Sequence, residues 1–272
     1  MRKLKIHLEC RHEGLMRMLK DVWEDHEVHL QEDYPPFPFP LIDGTEDIIV
    51  STLHHSDLPT HTGGKPLIVY ATDPFLPQIR ELIVSKKILC TVVGAEDCYP
   101  AEWFVPVDEW IPFAMKPERY PKYIGDKRLT LVANRKANER FLECSRGTTM
   151  EDFLDGVDWT RANNPDKEQF INMYRDYRVL FYFSNSPYTI VMFEAMAVGM
   201  PIVAYTHNQV EELYPEKNPV RKYLPFYSTD RRIIVDKLRE YMEAETVEPV
   251  SYNFIPFAQV KQKWNDLFTK LV

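Results

Sequence analysis

Paired cysteines, a long apolar run and an excess of positive charge are all missing from this sequence, and each absence narrows what the chain can be. The four cysteines, Cys10, Cys90, Cys98 and Cys144, show no C-x-x-C spacing, and no charged-then-apolar segment resembles a signal peptide. The expectation is a reducing cytoplasm, the host's if the protein is viral. The longest apolar stretches reach about half of the ~20 residues that span a bilayer, and the richest, Ile190 to Tyr205, contains a glutamate. A formal charge of -8 argues against tight, non-specific binding to a polyanion, which draws its free energy from phosphate neutralisation. Internal repeats and low-complexity tracts are absent too.

What is present is enough apolar material for a large core: 272 residues, 44% of them hydrophobic. The first third alternates β-rich and helical patterns: Leu4 to Glu9, a helix over about Leu15 to Glu24, then strands at His26 to Leu30, Asp47 to Leu53, Pro66 to Ala71 and Ile88 to Val93. From Cys98 to Pro121 proline and aromatic residues interrupt the pattern. A second series opens with a strand at Arg128 to Ala133. Thr148 and Glu151 fit a capping box, Asn164-Pro165 fits a helix start, and Val179 to Phe183 and Ile202 to Tyr205 read as strands around a helix ending at Gly199. Ala258 to Val272 reads as a helix with Val260, Trp264, Leu267, Phe268 and Leu271 on one stripe.

The expected fold is therefore α/β, with two Rossmann-like domains facing across a cleft where a ligand would sit at the carboxyl ends of the strands. The boundaries are an acceptor-side domain at 1–118, a donor-binding domain at 119–257, and a terminal helix at 258–272 packing back on the first.

The helix from Ile190 to Val198 is apolar nearly all round, which belongs in a core, and it carries Glu194. An ionised carboxylate there is costly unless it is paired or hydrogen-bonded. Two acceptor oxygens suit the vicinal hydroxyls of a ribose, while a solvent-edge position is the plainer alternative. The run Glu194-Ala-Met-Ala-Val-Gly-Met-Pro-Ile-Val-Ala204 closely resembles the donor-site helix of retaining GT-B glycosyltransferases, whose relatives include sucrose synthase and bacterial α-mannosyltransferases. The resemblance implies that Glu194 is the second glutamate of a Glu-x7-Glu pair and binds the nucleotide ribose. Where the first glutamate would stand this chain has Ser186, which can bond a sugar hydroxyl without carrying charge. Ser186, Pro187, Tyr188 and Thr189 would form the sugar and phosphate loop, with Ser186 and Pro187 as N-cap and first-turn residues.

A diphosphate needs cations. Between Lys116 and Arg140 there are eight Lys or Arg against three acidic residues, and Arg135 and Lys136 directly follow the strand ending at Ala133. The resemblance makes them the diphosphate ligands, Arg135 also neutralising the leaving group; a solvated basic loop is the alternative. Gly14 stands where the family carries a glycine-rich turn. Asp73 sits near where relatives place a residue on the catalytic side, and it could contact an acceptor hydroxyl or cap a helix before Pro74. His54, His55, Asp57 and His61 cluster without a recognised ligand spacing, so no metal is expected.

The function this implies is hexosyl transfer from a UDP- or GDP-sugar to a saccharide, lipid-linked or other hydroxyl acceptor, with retention and without a cofactor. Two alternatives stay open: a catalytically silent sugar-nucleotide binder, and a transferase acting on hydroxymethylated DNA bases. The net charge disfavours nucleic acid as a partner.

Overall fold

Lys5–Glu9 (β1) buries Ile6 and Leu8 on one face, and Glu13–Val22 (α1) follows as a helix that buries Leu15, Met18, Leu19 and Val22. Its spacing of three and four residues is what lays those side chains along one stripe. The computed structural model describes residues 2–10, 13–30, 44–52, 64–71, 90–93, 109–133, 141–142, 145, 147–162, 166–183, 189–206 and 219–272. Glu27–Leu30 (β2), Ile48–Ser51 (β3), Leu67–Ala71 (β4), Cys90–Val93 (β5) and Glu109–Trp110 (β6) join β1 in a six-stranded sheet ordered β2-β1-β3-β4-β5-β6. Every neighbouring pair is parallel. Parallel strands are covered on both faces, and all four residues of β3 are buried accordingly.

The second sheet repeats the plan. Lys127–Val132 (β7) is followed by Met150–Phe153 (α2), Trp159–Arg161 (β8), Lys167–Asp176 (α3), Tyr177–Phe183 (β9), Ile190–Val198 (α4), Ile202–Tyr205 (β10), Pro219–Tyr223 (α5), Tyr227–Ser228 (β11) and Arg231–Glu243 (α6). The strands order as β11-β10-β9-β7-β8, again all parallel. Strand for strand, β8-β7-β9-β10-β11 matches β2-β1-β3-β4-β5. In each sheet the first strand is flanked by the second on one side and the third on the other, which creates a crevice at the carboxyl ends of the first and third strands.

The chain divides into two compact units, Met1–Ala114 with Ile255–Val272, and Met115–Phe254. Phe257–Leu271 (α7) belongs to the first, where it packs on α1. Its buried stripe of Val260, Trp264, Leu267 and Phe268 meets Trp23, whose ring lies 5.0 Å edge-on from Trp264. In the second unit one face of the sheet carries Val132, Val179, Phe181, Phe183, Val203 and Tyr205 against α6. Phe141 knits that core together, 4.9 Å from Phe183 and 5.0 Å from Phe153, both edge-on.

Local starts differ from the sequence expectation in three places. The cap of α2 is Thr149, not Thr148: its Oγ1 accepts from Asp152 N at 3.1 Å. The cap of α3 is Asp166, accepting from Gln169 N at 2.8 Å. The N-cap of α4 is Thr189, so that helix starts past Ser186 and Pro187. In each case several adjacent residues have capping chemistry, and tertiary packing selects among them. The short strands β6 and β8, and the helix α6, are additions to the sequence-based scheme.

Candidate functional site

The carboxyl ends of β7 and β9 define the crevice of the second unit. Immediately after β7 and Ala133 the sequence runs into Arg135 and Lys136; immediately after β9 it runs into Ser186, Pro187 and Tyr188 and then α4. Those five residues, and Asp73 in the first unit, lie outside the described residues, as does the cluster of His54, His55, Asp57 and His61. Among the described residues no group of three or more His, Cys, Asp or Glu side chains is placed to hold a metal ion. Nor is any helix there long and apolar enough to cross a membrane.

Glu194 lies on α4, whose residues are buried from Met192 to Met196, and its own side chain is 0% exposed. The solvent-edge alternative is thereby removed. Its carboxylate is held by the Lys167 ammonium, which reaches Oε1 from the first turn of α3 with its side chain 10% exposed. A cation in a first turn opposes the helix dipole, so the ion pair, not helix preference, accounts for a lysine at this point. Sequence reasoning missed Lys167: nothing in local spacing ties it to a helix one strand further on.

Aromatic rings lie beside the pair. Lys167 Nζ lies 5.6 Å from the Phe170 ring centroid, within cation–π range. Phe170 in turn packs edge-on against Tyr174 at 4.9 Å. Tyr174 is fully buried, and its hydroxyl has no hydrogen-bond partner among the described residues. Burial pushes its phenol well above the ordinary value of 10.0, and the Glu194 charge pushes it further. Phe193 on α4 meets Tyr223 of α5 at 5.2 Å.

Thr189 makes no side-chain cap bond; its Oγ1 and the Tyr182 hydroxyl, on β9, are 2.9 Å apart. This contact ties the start of α4 to the sheet. Gly14 is not a turn glycine but the second residue of α1, and it is buried. Thr206, just past β10 and 1% exposed, carries a hydroxyl without a partner among the described residues; it too went unnoticed in the sequence.

Chemically, the site offers a charged acceptor fixed by an ammonium, in surroundings that exclude water. A carboxylate has capacity for about four hydrogen bonds, and hydroxyl groups are among the donors it can accept from.

No protein-family profile and no curated protein sequence matches this chain. Among solved structures it is similar to HepE from Anabaena in complex with UDP and glucose, at 9% identity over 99% of this chain and 100% of that one, with a TM-score of 0.57. It is similar also to AviGT4, a glycosyltransferase involved in avilamycin A biosynthesis, at 13% identity over 98% of both chains, with a TM-score of 0.54. At such identities the likeness is one of fold.

Proposed function

We propose that this chain, which has the GT-B fold of two Rossmann-like α/β units, transfers a sugar from a nucleoside diphosphate sugar to an acceptor hydroxyl. The observation that carries the proposal is Glu194: a carboxylate buried completely in an apolar helix and held by Lys167, on the helix that follows β9, one of the two strands whose carboxyl ends form the crevice. Burying a charge is expensive, and hydroxyl recognition gives it a use that core packing does not.

In this reading Glu194 accepts hydrogen bonds from the ribose of the donor, and Lys167 holds the carboxylate in its orientation. Arg135 and Lys136 neutralise the diphosphate as the glycosyl bond breaks. The segment Ser186 to Thr189 holds the sugar, and Asp73 contributes on the acceptor side. The donor is a UDP- or GDP-hexose, UDP-glucose being the first choice because a chain of the same fold binds UDP and glucose. Transfer with retention follows from the resemblance of the Glu194 helix, and the acceptor is a saccharide or lipid-linked hydroxyl.

The test is a melting-temperature screen against UDP-glucose and GDP-mannose, with release of the nucleoside diphosphate measured in parallel for wild type and Glu194→Gln. Bound donor should raise the melting temperature of the wild type by several degrees, with slow release of diphosphate, and Glu194→Gln should lose both. A wild type stabilised by neither donor sinks the proposal; a Glu194→Gln variant stabilised as strongly as wild type removes the role of Glu194.

A further inference from the structure

The first unit contains buried carboxylates of its own, and the position of one of them matches the crevice of its sheet. Glu9 ends β1 with a side chain 3% exposed, and its Oε2 has no hydrogen-bond partner among the described residues. In the parallel register Glu9 stands beside Ser51, the last residue of β3. These are the first and third strands of the sheet, flanked by β2 on one side and β4 on the other. Their carboxyl ends are where the direction of winding reverses and where open α/β sheets bind ligands.

The main chain at this point is well satisfied. The Glu9 carbonyl accepts from Thr52 N at 2.9 Å and from Thr52 Oγ1 at 3.3 Å. Two residues earlier on the same face of β1, His7 brings Nε2 to 3.7 Å from Oε1, which leaves Oε2 as the unmatched atom. Glu46 also has a buried oxygen without a partner among the described residues, but it precedes β3 and so lies at the amino-terminal rim, away from the crevice. An unmatched buried carboxylate oxygen is costly, and Glu9 is the one placed where a ligand can offset that cost.

We infer that Glu9 accepts a hydrogen bond from a hydroxyl group of the saccharide acceptor, holding it at the carboxyl end of the first unit's sheet. The identity of the ligand rests on the transferase reading; the existence of a hydroxyl-binding point rests on Glu9 and the topology alone. The surroundings exclude bulk water, which strengthens a hydroxyl-to-carboxylate bond. The carboxylate has no donor of its own in its ionised form, so it selects hydroxyl-bearing ligands over anions.

The experiment titrates wild type, Glu9→Gln and Glu9→Ala with free glucose by saturation-transfer NMR, and records the UDP-glucose melting shift of each in parallel. Glu9→Ala should weaken glucose binding by about 10-fold or more, as for loss of a charged hydrogen bond. Glu9→Gln, which keeps the size and one acceptor oxygen without the charge, should show a smaller loss. The UDP-glucose shift should be the same in all three, which a merely structural role for Glu9 would not produce. Equal glucose binding by wild type and Glu9→Ala, or none by wild type, overturns the inference, and an intact UDP-glucose shift then leaves the transferase reading standing. Conversely, glucose binding that depends on Glu9 in a chain stabilised by neither UDP-glucose nor GDP-mannose supports the sugar site and removes the transferase reading. If Glu9→Ala does not fold, the Gln variant decides: unchanged glucose affinity overturns the inference.

Discussion

Lys167 and Glu194 form an ion pair between α3 and α4 in which the lysine side chain is one-tenth exposed and the glutamate side chain is closed off from solvent. Removing one partner leaves the other as an uncompensated buried charge, so Lys167→Met should destabilise the chain by ~3–5 kcal/mol. Replacing both, Lys167→Met with Glu194→Met, should recover most of that loss, because two apolar side chains of similar size cost nothing to desolvate. Urea unfolding of the two single variants and the double variant measures this. Additive losses would show that the two side chains do not depend on each other.

Gly199 ends α4 at φ 86°, in the left-handed region, and its N–H bonds to Met196 O at 3.0 Å. A Cβ at this position would lie 3.3 Å from Pro249 Cβ and 3.5 Å from Val250 O. Both the backbone conformation and the tight fit oppose a side chain. Gly199→Ala should therefore cost ~1–2 kcal/mol. Because α4 carries Glu194, it should also weaken UDP-glucose stabilisation. Thermal unfolding with and without UDP-glucose checks both effects, and an unchanged melting temperature would contradict the first.

How legible the chain was depended on the range of the interaction involved. The strand Ile202–Tyr205 and the α7 stripe of Val260, Trp264, Leu267 and Phe268 follow from hydrophobic spacing, which is a local signal. The two residues of β6 and three of β8 are too short to create a pattern; they are strands because β5 and β7 pair with them. Caps at Thr149 and Asp166 sit one and two residues from the expected Thr148 and Asn164, since neighbouring polar residues offer the same chemistry. At the candidate site Glu194 stood out because it interrupts an apolar helix. Lys167 and Glu9 did not, because a lysine in a first turn and a glutamate at a strand end both read as surface residues until the fold buries them.

Trp23 and Trp264 join α1 to α7 at the centre of the first unit, both 0% exposed, with Phe268 packed 5.7 Å from Trp23 and 5.5 Å from Trp264. Truncating a buried tryptophan removes transfer free energy and leaves a cavity, so Trp264→Ala should cost ~3–5 kcal/mol. Trp264→Phe should cost less, since it retains an aromatic ring. Both indole N–H groups lack partners among the described residues, so the phenylalanine also removes an unsatisfied donor. Chemical denaturation followed by tryptophan fluorescence ranks the variants, and equal losses for Ala and Phe would contradict the packing argument.

Buried phenols set the alkaline limit of stability. Burial pushes Tyr70, Tyr123, Tyr174 and Tyr252 above the ordinary value of 10.0. Three of them donate to backbone carbonyls: Tyr70 to Ile111 O at 3.1 Å, Tyr123 to Arg178 O at 2.6 Å and Tyr252 to Met200 O at 2.7 Å. Ionisation would remove the donor and leave a buried charge. The folded chain thus holds these protons more tightly than the unfolded chain, so their contribution is complete below about pH 10 and is lost as the pH rises above it. Stability from urea unfolding should therefore fall progressively as the pH rises above about 10, and tyrosinate absorbance from these side chains should appear together with unfolding. Tyr174→Phe should leave stability at neutral pH unchanged or raise it by up to ~1 kcal/mol, because it deletes a hydroxyl without a partner among the described residues. The same variant should soften the alkaline loss, since one proton linkage is gone. A titration of Tyr174 at the ordinary phenol value in the folded chain, seen as a difference between wild type and Tyr174→Phe, would contradict both its burial and its closeness to the Glu194 charge.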